Sequence, residues 1–93
     1  MAQNTVLAAG TTAATSSDIV VAAGSQVTVG IFTAAAAGIG GNESVSVYMD
    51  TPGNDTLLFQ LSGNDPARVI TGPGTYRAVR GVVATSFGVF TED

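Results

Sequence analysis

The sequence predicts an all-β fold: a small antiparallel β-sandwich or barrel of about six to seven short strands, preceded by an extended N-terminal arm. Three observations carry this. Apolar residues alternate with polar or small ones over short runs. Clusters of Gly, Pro, Asn and Asp separate those runs at intervals of roughly 8–12 residues. No segment shows a helical apolar stripe of useful length.

Residues 1–17 are mostly Ala, Thr, Ser and Gly, with Val6 and Leu7 as the larger apolar residues after Met1. They show no sustained period, so they are expected to form an arm, flexible or docked on a partner, outside a single domain of residues 18–93. Order is expected from Asp18. Ile19 to Ala22 is a short β-branched run, and Ala23-Gly24-Ser25 is the hairpin turn into a strand over residues 26–33. In that strand Val27, Val29 and Ile31 alternate with Thr28, Gly30 and Phe32, and Gly30 signals a bulge or a close approach. Residues 34–42, rich in Ala and Gly, are expected to be a loop.

Residues 43–49 give the cleanest alternation, with Val45, Val47 and Met49 on one side and Ser44, Ser46 and Tyr48 on the other. The Pro52-Gly53 turn returns the chain as a strand over residues 56–62, with Leu57, Phe59 and Leu61 inward. A short strand is expected at residues 67–71, then a tight turn at Gly72-Pro73-Gly74 into a strand over residues 75–80. The last strand is expected over residues 82–90, bent near Ser86–Gly88.

Composition excludes much chemistry. The 93 residues include no Cys, His, Trp or Lys, so there is no disulfide, no Cys- or His-ligated metal, no histidine base and no cysteine or lysine nucleophile. The chain is therefore expected not to be an enzyme and to need no cofactor. A net charge of −4 with three arginines argues against gripping a nucleic-acid backbone. No apolar run is long enough for a membrane-spanning helix, and no basic-then-apolar leader is visible. Charged residues are 11% of the chain, far below the ~25% usual in soluble domains. A domain this small buries only about 60–65% of its unfolded surface. Both points favour a homo-oligomer, stabilised by neighbours that cover it.

Few residues are candidates for a site. Asp50, Asp55 and Asp65 stand in turns, where Asp bonds nearby backbone N–H groups. Asp50, Asn54 and Asp55 also offer hard oxygen ligands for calcium, without the EF-hand spacing. Arg77 and Arg80 lie three apart on one strand, so they point to opposite faces, and either could anchor a subunit contact. Val6 and Leu7 would anchor the arm. A sugar-binding module would instead expose Tyr48 and Tyr76 on one face.

Gly72-Pro73-Gly74-Thr75-Tyr76-Arg77, then Arg80 and Ser86-Phe87-Gly88-Val89-Phe90, resemble small virion proteins of tailed bacteriophages. The run from Ile19 to Val29 adds to the resemblance, which spans residues 18–91. It implies a non-enzymatic β protein present in many copies on the virion and made in the host cytoplasm. The leading expectation is a capsid decoration, or cement, protein bound to the major capsid protein. A head-fibre base or a neck or tail accessory protein is the alternative within the virion. A carbohydrate-binding or adhesin module is the alternative outside it.

Overall fold

A computed structural model of the chain describes residues 3–33, 43–83 and 85–93. The loop expected over residues 34–42 lies outside them. The described residues form nine strands and no helix: β1 (Gln3–Gly10), β2 (Ala14–Thr15), β3 (Ile19–Val21), β4 (Gln26–Thr33), β5 (Ser44–Met49), β6 (Thr56–Ser62), β7 (Ala67–Thr71), β8 (Gly74–Arg80) and β9 (Phe87–Glu92).

Two antiparallel sheets hold these strands. The first has the order β1-β9-β4-β7, and the second β2-β8-β5-β6, with β3 also paired to β8. β2 and β3 lie end to end along β8, with Thr15 opposite Val79 and Ile19 opposite Tyr76. Counted as one interrupted strand, they make eight. First then pairs with last (β1·β9), second with seventh (β2/β3·β8), third with sixth (β4·β7) and fourth with fifth (β5·β6). The β4·β9 and β5·β8 ladders join these pairs into two sheets. This wrapping of two Greek keys is the jelly-roll topology. The expected sandwich class holds.

The pleat explains the core. Val29 and Ile31 of β4 and Phe87 and Val89 of β9 face the interior from the first sheet. Val45 and Val47 of β5, Leu61 of β6 and Tyr76 and Ala78 of β8 meet them from the second. All belong to one hydrophobic cluster. Burying each larger aliphatic side chain contributes roughly 1.5–3 kcal/mol. Gly30 faces outward, and a Cβ there would lie 2.7 Å from the Phe90 ring. The close approach expected at Gly30 is thus a cross-strand aromatic ring laid on bare backbone.

Several expectations need correction. Residues 3–10 are not an arm outside the domain: they are an edge strand of the first sheet, and Leu7 is in the core. Register shifts between Thr5 and Leu7, and between Leu7 and Gly10, destroy the period-2 pattern that would have announced a strand. Ile19–Val21 and residues 26–33 are not a hairpin. They belong to different sheets, and the turn at Ala23-Gly24 is a corner closed by Ser25 N–H on Ala22 O at 3.1 Å. The last strand starts at Phe87, not at residue 82, because Gly81–Val83 form the crossing from the second sheet to the first. Leu57 does not face inward. Leu58 is an extra residue opposite the Val47–Tyr48 step, and this bulge leaves Leu57 49% exposed.

Two further corners show local chemistry. The Gly72–Pro73 peptide is cis, and a Cβ on Gly72 would sit 2.0 Å from Ala22 O, so the two β3–β4 and β7–β8 corners meet where only glycine fits. Ser16 joins β2 to β3. Its N–H donates to Ala78 O at 2.7 Å, and its hydroxyl accepts from Ala78 N–H at 2.9 Å while donating to Ser17 O at 2.8 Å. The side chain thus completes a ladder that the backbone alone breaks.

Candidate functional site

The four residues singled out as anchors are all engaged within the chain. Leu7 is buried and Val6 packs half-buried against the core. Arg80 shares the inward face of β8 with Tyr76 and Ala78 and is only 3% exposed. Its Nε donates to Thr12 O at 2.9 Å and its Nη1 to Ala8 O at 3.0 Å, with a further bond to Phe87 O. A guanidinium has five donors in a fixed fork, so it can collect carbonyls from β1, the β1–β2 corner and the start of β9 at once. Arg77 points the opposite way, as the spacing required. On the outer face its Nη1 meets Asp55 Oδ2 at 2.7 Å and its Nε meets Asp18 Oδ1 at 3.3 Å. Arg68 is held by Asp65 at 2.6 Å and stacks 5.2 Å from the Phe59 ring centre.

Two of the three turn acids meet arginines: Asp55 faces Arg77, and Asp65 faces Arg68. In the same turn the Thr51 hydroxyl donates to Asn54 O. Among the described residues no three metal-ligating side chains gather. Glu43 accepts from both the N–H and the hydroxyl of Thr85 at 2.7 Å, pinning the crossing between β8 and β9 to the start of β5.

The tyrosines do not share a face. Tyr76 is buried and donates its hydroxyl to Thr71 O at 2.7 Å, whereas Tyr48 lies half-buried on the outer side of the second sheet. The aromatic pair that does lie outside is Phe32 with Phe90, on the outer face of the first sheet. The rings meet edge to face at 6.2 Å between centres and 70° between planes. Gln3, Asn4 and Thr5 border them around an open depression of about 500 Å³. Of the described side chains that these four strands direct outward, Glu92 is the ionisable one, and it accepts from Gln3 Nε2 at 3.1 Å. Val69 on β7 continues this face at 57% exposure.

Sequence reasoning missed this surface because Phe32 reads as core on hydrophobicity alone. The usable signal was its place in the Thr28-Gly30-Phe32 series, opposite Val29 and Ile31. No protein-family model, curated protein or solved structure matches the chain significantly. The site is therefore read from its own geometry.

Proposed function

We propose that the chain is a non-enzymatic structural protein of a virion, a decoration protein that binds the head lattice in many copies and stabilises it. The observation that carries this reading is the outer face of the first sheet. It is neutral apart from Glu92, it bears Phe32, Phe90 and Val69, and it is held rigid by three paired ladders. Interface centres are poor in charge and rich in aromatic residues. The arginines are each engaged within the chain: Arg68 and Arg77 pair with carboxylates and Arg80 is buried on backbone carbonyls. The partner on this reading is the major capsid protein, with other copies of the chain as neighbours. Jelly rolls serve in viral capsid and lectin domains, an analogy of fold that by itself assigns no role.

A neck, tail or fibre-base position is the second reading within the virion, and symmetry separates the two. The test is direct. Virus-sized particles from a culture making the chain should contain it at high, lattice-matched copy number, visible as repeated density on the head. Val69→Glu places a charge on the proposed contact face without touching the core. It should weaken rebinding to stripped particles about tenfold or more, since each tenfold is ~1.4 kcal/mol. Chain found only in the unsedimented fraction would sink the proposal.

A further inference from the structure

We propose that the Asp65–Pro66 peptide bond is a latent self-cleavage site of this chain, held closed by the Arg68 ion pair. The inference goes beyond the virion reading and does not depend on it. Of the seven acidic residues, Asp65 alone precedes a proline. That order places three reacting groups in one dipeptide. They are a carboxylate nucleophile, a carbonyl that it reaches by ring closure, and a tertiary amide nitrogen that leaves as a secondary amine.

The turn between β6 and β7 adds to this. Asp65 O accepts the Ser62 N–H at 3.0 Å, so the carbonyl to be attacked is already polarised by a donor on its oxygen. The Asp65 N–H donates back to Ser62 O at 3.1 Å, and Pro66 O accepts the Ile31 N–H at 2.9 Å. Both sides of the bond are thereby tied to strands. The Asp65 side chain is 40% exposed, so water reaches it.

Arg68 opposes the reaction. Its Nε and Nη2 both donate to Asp65 Oδ2, at 2.9 and 2.6 Å, and the guanidinium itself is steadied over the Phe59 ring. A carboxylate in such charge-assisted bonds is restrained in rotation and weakened as a nucleophile. Its release is therefore the step that opens the site.

The reaction balances with water as co-reactant. Asp65 Oδ1 attacks the Asp65 carbonyl carbon, the C–N bond to Pro66 breaks, and the nitrogen takes a proton from solvent. Water then opens the cyclic anhydride left on Asp65 to two carboxylates. Of the two protons set free, one returns to solvent and the other protonates the Pro66 amine. The pieces stay together, because residues 66–93 carry β7, β8 and β9, and each of these is paired to strands of residues 1–65.

The test is mass spectrometry of the full chain held in acetate buffer. The wild type should slowly yield two products, one ending at Asp65 and one beginning at Pro66. They should elute as one species on a native column and separate in denaturant. Arg68→Met and Arg68→Gln, each with circular dichroism unchanged, should raise the cleavage rate about tenfold or more, and Arg68→Lys should restore most of the restraint. Asp65→Asn and Pro66→Ala should stay whole over the same time. In urea, where the ion pair is gone, wild type and Arg68→Met should cleave at equal rates. A wild-type chain uncut at this bond, equal rates for wild type and both folded Arg68 variants in buffer, a difference that persists in urea, or products that part on the native column would each overturn the proposal.

Discussion

Arg77 and Arg80 are three residues apart, carry the same guanidinium and have opposite fates. Arg77 stands partly in solvent beside two carboxylates, where an ion pair is worth ~0–1 kcal/mol. Arg80 is buried and bound to three carbonyls, so removing it leaves acceptors with no water to replace it. Arg80→Met should therefore cost about 3 kcal/mol or more in urea unfolding, and Arg77→Ala about 1 kcal/mol or less. Equal losses would show that Arg80 does not hold the corner. Ser16 makes the same point with a neutral group. Ser16→Ala deprives Ala78 N–H and Ser17 O of partners and should cost ~1–3 kcal/mol. Ser16→Thr, which keeps the hydroxyl, should recover part of it.

At the scale of elements, the first ten residues decide how the chain must be handled. β1 covers β9 and places Leu7 in the core, so deleting residues 1–10 should abolish cooperative unfolding and amide dispersion. A removable arm would leave both intact. The sequence was most legible where the ladder is regular. Val45 and Val47 against Leu61 follow from simple alternation, and the β5–β6 hairpin is found where the Pro-Gly turn puts it. It was least legible at bulges and corners. The double shift in β1 erased its period, and the bulge at Leu58 turned Leu57 outward. Corners misled for another reason. Ala23-Gly24 has the chemistry of a hairpin turn, yet the chain leaves it for the other sheet, and turn residues alone do not say which sheet comes next. The candidate site suffered likewise: spacing put Arg77 and Arg80 on opposite faces, but which face was interior depended on the rest of the sandwich.

The whole molecule is a thin slab, 36 × 32 × 20 Å, so its core is one layer of side chains between two sheets. Such a core is small, and on the proposed assembled reading neighbours would supply part of the stability. The melting temperature should accordingly rise as protein concentration increases, by several degrees over a hundredfold range. A melt independent of concentration would show that the domain is self-sufficient.

The register that sets Gln3 opposite Glu92 also sets a timetable. Synthesis at ~5–20 residues per second takes roughly 5–20 s for this chain. Throughout that interval β1 waits without β9, because its partner is the last made of the described strands. The nested pairs must close from the β5–β6 hairpin outward or all together once β9 has emerged. Anything that stalls translation before Phe87 thus leaves β1 and β4 unpaired on the side that β9 would fill, and exposes them to whatever strand is near.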